Sequence, residues 1–280
     1  MIIKRNIQLQ GKHQKPILTD VFYIENNQPK PVVIFAHGYK GFKDWGCWDL
    51  VAENFAKNGI FFIKFNFSHN GGTVKQPIDF PDLEAFGQNN FIKELDDLEA
   101  IIDWISEGSE YKNEVDSTNI TLIGHSRGGG IVTIKASEDN RISKVITWAG
   151  VSDYGARFPQ GEILKLWKKH GVSYIENSRT KQQLPHYYQF YENFVANKNR
   201  LHIKTAVENL KIPYLIIHGT DDETVKLNEA KNLHFWSKSS ELYTIKNANH
   251  TFGGKHPWEE KKLPPHLFEI VEKSGVFVGF

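Results

Sequence analysis

Residues 121–134 read TLIGHSRGGGIVTI, a single serine set among four glycines between two apolar runs. TLIG has the uniformly apolar character of a strand buried on both faces, and GGGIVTIKAS reads as the start of a helix. The link between them, Gly124-His125-Ser126-Arg127-Gly128, matches G-x-S-x-G. A strand–turn–helix around that pattern holds the serine on a strained turn, with small neighbours that let other backbone close in. The helix amino end also directs partial positive charge toward the space above the serine. The same residues would suit an N-cap serine with packing glycines, so the pattern needs its context.

Upstream, IIKRNIQL and ILTDVFYI alternate as half-exposed antiparallel strands, whereas PVVIFAHG and IFFIKFNF are apolar as buried strands are. WDLVAENFAKNG between the last two predicts an amphipathic helix closed by Gly59. A long helix is predicted from about Phe86 to Ser106, with Phe91, Leu95, Leu98, Ile101, Ile102 and Ile105 at helical spacing. Further strands are predicted at NITLIGHS, SKVITWAG, PYLIIHG and ELYTIKNA, with helices between them and a last helix ending near Val271. Strands alternating with helices predict an α/β fold with a mostly parallel sheet covered on both faces. Ligands of such sheets bind beyond the carboxyl ends of the strands. HGYKG, NFSHNGG, GHSRGG, HGTDDE and ANHTFGG each follow a strand directly, which gathers the conspicuous polar residues at that end.

Residues 151–205 separate two core strands by far more than a crossover needs. The segment is rich in aromatic residues, and between 155 and 205 it holds nine Lys or Arg against three Asp or Glu. GVSYIENSRTKQQLPHYY within it predicts a hairpin turning at NSRTK. The expected organisation is a core of residues 1–150 and 206–280, with residues 151–205 inserted as a lid over the site.

The chain has 280 residues, 40% of them hydrophobic, and a net charge of +1. That length is ample for a large core, and the charge gives no footprint for a nucleic-acid partner. No apolar run approaches the ~20 residues of a membrane span. MIIKRNIQLQGKHQK at the amino end lacks the apolar stretch and cleavage site of a secretory signal, so a soluble, cytoplasmic protein is expected. Cys47 is the only cysteine, which excludes an intrachain disulfide and a thiolate zinc cluster; its place at the head of a helix suggests packing. Histidines and aspartates show no ligand spacing and no phosphate-loop motif is present, so no metal and no cofactor are expected. Oligomeric state is not legible.

A serine hydroxyl needs a base to take its proton. Among twelve histidines, His13, His170, His202 and His234 fall in turns or helices, and His256 and His266 lie beyond the last strand's loop. His250, in NANHTFGG straight after ELYTIKNA, is placed as a base should be. The acid that orients it is sought among Asp221, Asp222 and Glu223 after PYLIIHG, with Asp153 after SKVITWAG as a further candidate. An oxyanion hole would use the backbone N–H of Arg127 and of Tyr39, in the loop after PVVIFAHG. His37 beside it suits a buried loop histidine bonded to backbone.

PVVIFAHGYKGFKDW, IGHSRGGG, IIHGTDDETV and NANHTFGG together resemble the α/β-hydrolase superfamily, in its soluble esterase and serine-peptidase-like branch. The order Ser, Asp, His is the order of that superfamily. The resemblance implies an eight-stranded, mostly parallel sheet, and its HG-x-x-D register selects Asp222 from His218-Gly219-Thr220-Asp221-Asp222. HGYKG departs from the HGGG of lipases, which sets a bulky Tyr39 beside the acyl site. The insertion is loosely similar to the lid of bacterial cinnamoyl or feruloyl esterases. Ser126 argues against a dienelactone hydrolase, which would use cysteine there, and against dehalogenases and epoxide hydrolases, which use aspartate. The implied activity is hydrolysis of a small carboxylic ester with a short or aromatic acyl group, by Ser126, His250 and Asp222. The alternatives are an aminopeptidase or amidase with the same residues, and a ligand-binding protein with little turnover.

Overall fold

In the computed structural model, which describes residues 1–108 and 110–280, apolar runs become strands and 3.6-period runs become helices that cover them. β1 (Ile2–Gln10), β2 (Pro16–Tyr23) and β3 (Lys30–Ala36) lead to α1 (Trp48–Lys57) and β4 (Phe61–Asn66). α2 (Leu83–Gly87) and α3 (Phe91–Ser106) precede β5 (Val115–His125), α4 (Arg127–Glu138) and β6 (Ile142–Trp148). A 3₁₀ turn at Gly155–Arg157, α5 (Gly161–His170), the strands β7 (Val172–Glu176) and β8 (Gln183–Tyr187), and α6 (Gln189–Ala196) occupy the inserted segment. α7 (Ile203–Asn209), which spans the expected boundary at 205, is followed by β9 (Tyr214–Gly219), α8 (Leu227–Trp236), β10 (Ser240–Ile245) and α9 (Pro265–Val278).

Eight strands form one sheet in the order β1-β2-β4-β3-β5-β6-β9-β10, and β7 and β8 pair separately as an antiparallel hairpin. Within the eight-stranded sheet only β1–β2 and β2–β4 are antiparallel; β4, β3, β5, β6, β9 and β10 run parallel. Side chains alternate across the sheet: Val32, Ile34 and Ala36 of β3 enter a core under α3 and α4, while Val33 and Phe35 enter a second core under α1 and α9. β3 and β5 are neighbours, but the chain leaves β3 for β4 on one side and leaves β5 for β6 on the other. That reversal opens a crevice at their carboxyl ends, which is where this architecture binds ligands. Among the described residues no helix is long and apolar enough to cross a membrane.

Three expectations need correction. β2 is not half-exposed: Ile17–Tyr23 are all buried, because β1 and β4 flank it and both faces are covered. Its alternating polar residue, Asp20, faces buried ammonium groups, Lys43 Nζ at 2.8 Å and Lys64 Nζ at 2.9 Å, instead of water. The long helix begins at Phe91, where Asn90 Oδ1 accepts from Lys93 N–H at 3.0 Å; Phe86 belongs to the separate α2, capped by Asp82. α9 continues past Val271 to Val278, where Ser274 Oγ accepts from Trp148 Nε1 at 3.0 Å and Val278 enters the second core; Gly275 leaves room for Phe280, since an added Cβ there would lie 1.9 Å from its ring.

α3 also carries two carboxylates, Glu94 and Asp97, on its buried face. Asp97 Oδ2 accepts the Ser68 N–H at 2.7 Å, while Oδ1 has no hydrogen-bond partner among the described residues. Burial pushes its pKa up to about 7, against the pull of the Ser68 bond. A carboxyl whose pKa rises on folding binds its proton more tightly in the folded chain. Its contribution to stability therefore falls as pH climbs from about 4 to about 7. Asp97→Asn keeps an acceptor for Ser68 and removes the charge. It is expected to raise the melting temperature relative to the parent at pH 8 and to change it little at pH 4. About 1.4 kcal/mol per pKa unit makes the difference a few kcal/mol. Melts at both pH values that shift equally would overturn this account.

Candidate active site

Ser126 sits between β5 and α4, at the N-cap of the helix, with φ 56° and ψ −120°, a conformation that is costly for a residue with a side chain. Close backbone approach on both sides holds it there. A Cβ on Gly124 would lie 2.3 Å from Gly128 O, and one on Gly128 would lie 2.5 Å from Ala36 O. Ser126 N–H donates to Trp148 O at 2.9 Å, and its carbonyl accepts from Gly129 N–H at 3.0 Å. The loop after β3 rides directly over the serine, since a Cβ on Gly38 would lie 2.8 Å from Ser126 Cβ. The backbone N–H groups of Tyr39 and Arg127 donate to no atom among the described residues.

His250 reaches Ser126 from the loop after β10: its Nε2 lies 3.0 Å from Ser126 Oγ. Its Nδ1 lies 2.7 Å from Asp222 Oδ2, in the loop after β9. The other Asp222 oxygen accepts from Thr224 N–H and Val225 N–H, each at 2.8 Å. Burial works to raise the Asp222 pKa, but hydrogen bonds from His218, His250 and the Val225 N–H outweigh it and hold the carboxyl well below its usual range. An ionised Asp222 fixes the proton of His250 on Nδ1, which leaves Nε2 as acceptor for the Ser126 hydroxyl. His125 steadies the same loop: its Nε2 donates to His250 O at 2.9 Å. Burial first, and then the neighbouring His250, keep His125 neutral, with its pKa down at about 3.

The other acid candidates face elsewhere. Asp221 is exposed and accepts from its neighbour Thr220 Oγ1, Glu223 is exposed and pairs with Lys226, and Asp153 caps the Gly155 N–H at 2.7 Å. His37 Nδ1 lies 2.9 Å from Gly38 O and is held at a pKa of about 4 by burial. His256 accepts from Gly46 N–H at 2.9 Å, and burial raises the pKa of Cys47 to about 12.

Two cavities meet at Ser126 and Tyr39. One, of about 550 Å³, lies under the inserted segment among Phe91, Tyr154, Phe158, Trp167 and Phe190. The other, of about 410 Å³, is the more polar of the two: Phe42, Trp45, Trp48 and Phe80 share its walls with His250, Lys40, Asn177, Arg179, Thr251 and Lys255. Tyr39 stands between them, its hydroxyl hydrogen-bonded to His186 Nε2 of β8 at 2.6 Å; burial keeps His186 neutral, with a pKa down at about 4. The Arg127 guanidinium packs 5.0 Å from the Tyr39 ring and pairs with the buried Glu94. Sequence reasoning missed these partners of Tyr39 and Arg127. Tyr39 and His186 are 147 residues apart and carry no local signal. Glu94 did carry one, a charge among the apolar positions of α3.

The family described as alpha/beta hydrolase fold matches residues 31–161. The quorum-quenching protein AidA of Acinetobacter baumannii (strain MDR-ZJ06) is 26% identical over 123 residues, 44% of this chain. The chain spans 36% of the length of that relative. Est1E from Butyrivibrio proteoclasticus, solved with bound ferulic acid, superposes with a TM-score of 0.71 at 19% identity, covering 97% of each chain. The esterase domain of a Rhodothermus marinus protein superposes with a TM-score of 0.65 at 18% identity over 100% of both chains.

Proposed function

From the α/β-hydrolase fold of this chain we propose that it is a serine hydrolase that cleaves carboxylic esters through an acyl-enzyme. The reading rests on one observation above the rest: a strained Ser126 whose Oγ lies 3.0 Å from His250 Nε2. Ser126 Oγ attacks the ester carbonyl while His250 takes its proton and Asp222 stabilises the imidazolium that forms. The N–H groups of Tyr39 and Arg127 receive the tetrahedral oxyanion, a contribution of about 3 kcal/mol for each donor in comparable sites. His250 then protonates the departing alcohol, and water repeats the sequence on the acyl-enzyme.

Residues 151–205 serve as a lid, and the apolar cavity beneath them takes the acyl group. Rigid aromatic walls at Phe91, Phe158 and Trp167 suit a flat aromatic or a short acyl chain. A fluorophosphonate probe is expected to label Ser126 stoichiometrically by mass spectrometry. Across nitrophenyl esters, acetyl, butyryl and cinnamoyl substrates are expected to exceed dodecanoyl about tenfold in kcat/KM, since a chain too long for the cavity is rejected and even one misfitting methylene is worth about that much. A preference for the long chain sinks the acyl assignment. Absence of labelling in folded protein sinks the hydrolase reading.

A further inference from the structure

The two cavities at Ser126 differ in charge balance. The apolar one includes two arginines, and both are neutralised, Arg127 by Glu94 and Arg157 by Glu229. The polar one is lined by Lys40, Arg179 and Lys255 and by no Asp or Glu. Arg179 pairs with Asp79 outside the lining. Lys40 and Lys255 have no ion pair among the described residues; the Lys40 ammonium lies only over the Tyr39 ring, at 5.6 Å. Asp44, the carboxylate beside His256, is already held by Lys43 and Lys64. Two lysines without an ion-pair partner on the walls of one concave site create a positive potential that draws an anion. Asn177, Ser178 and Thr251 add neutral hydrogen-bonding groups to the same walls.

The position of His250 decides which part of a substrate meets that charge. His250 lines the polar cavity and not the apolar one. The departing oxygen must take its proton from His250 Nε2, so the alcohol portion leaves through the polar side. We propose that the substrate is an ester of a hydroxy acid, with an apolar acyl group, and that Lys40 and Lys255 hold the carboxylate of the departing alcohol. This rests on the serine-esterase reading. The bond from Ser126 Oγ to the acyl carbon forms and the bond from that carbon to the alcohol oxygen breaks. The proton that His250 took from Ser126 passes to that oxygen. Water then cleaves the acyl-enzyme, releasing the acyl acid and restoring Ser126.

The test compares two substrates that share an acyl group, O-cinnamoyl lactate and its neutral isostere O-cinnamoyl lactamide. The anionic ester is expected to have a five- to tenfold higher kcat/KM at low ionic strength, as two partly exposed charge pairs provide. That ratio is expected to fall toward one in about 0.5 M NaCl, and toward one at low salt in the Lys40→Gln/Lys255→Gln variant. Because the ratio is taken within each protein, a general loss of activity or folding does not imitate the result. A ratio near one in the parent, or a high ratio that survives in the variant, overturns the anion site and leaves the esterase reading standing. Labelling of Ser126 without turnover of either ester also overturns this substrate class alone. No labelling and no turnover overturn both.

Discussion

Replacing Ser126 by alanine is expected to leave a folded protein whose ester turnover falls by about 10⁴- to 10⁶-fold. Alanine occupies the same strained backbone, and the contacts of Gly124 and Gly128 that enforce it do not involve the hydroxyl. The melting temperature should therefore stay within a few degrees of the parent. What disappears is the hydroxyl that lies 3.0 Å from His250 Nε2 and would be acylated. Residual rate would come from the Tyr39 and Arg127 N–H groups acting on a water-driven reaction, which is why the fall is not complete. His250→Ala should cost a comparable factor, and the double variant little more, because groups that act as one unit are not additive. Initial rates with nitrophenyl butyrate, and fluorophosphonate labelling of the same preparations, check this. A fall below tenfold with labelling intact places the nucleophile elsewhere.

Asp222→Asn is expected to lower kcat by about 10³- to 10⁴-fold while Asp221→Asn changes it less than twofold. The asymmetry follows from the bonds each residue makes. In the variant, the amide oxygen at 222 stays with the N–H groups of Thr224 and Val225, which the parent carboxylate holds at 2.8 Å. The amide NH₂ then faces His250 Nδ1 as a second donor. His250 must accept there, so its proton moves to Nε2, where it points at the Ser126 hydroxyl and cannot take its proton. The exposed Asp221 carboxylate accepts from Thr220 Oγ1 and does not bond His250, so its neutralisation does not reach the imidazole. Stability carries a second signature. The pKa of Asp222 is lowered on folding, so its ionised form stabilises the fold above the usual carboxylate range, and that contribution is lost as pH falls below it. Asp222→Asn should therefore lower the melting temperature more at pH 7 than at pH 3. Rates for the two variants, with melts at both pH values, test the assignment; an Asp221 effect equal to that of Asp222 would falsify it.

Much of the sheet is legible because its signals are local. PVVIFAHG and IFFIKFNF announce buried strands by composition alone, and they pair in parallel as β3 and β4. ILTDVFYI misleads for a reason that composition hides: its alternating polar residue looks solvent-facing, but the buried partners of Asp20 lie 23 and 44 residues away. The helix before β5 starts later than its apolar spacing suggests, since Asn90 captures the Lys93 N–H and stops the helix from growing toward Phe86. The last helix runs past Val271 to Val278, and Gly275 within it is the place where the Phe280 ring needs room.

By itself the sequence determined the alternation of strands and helices, the serine turn at residues 124–128 and the loop that carries His250. Each depends on residues within a few positions of one another, where propensity, glycine content and periodicity act directly. Composition and spacing left three adjacent acids open and only the family register pointed to Asp222; the tertiary structure brings that carboxylate to His250, because neighbouring side chains diverge and the contact spans 28 residues. It also decided that Tyr39 meets His186, that Glu94 neutralises Arg127, and that Lys40 and Lys255 line one cavity at the serine with no ion pair among the described residues. Charges enter a sequence one residue at a time, but their compensation is a property of distance, and distances between remote residues exist only once the chain has packed.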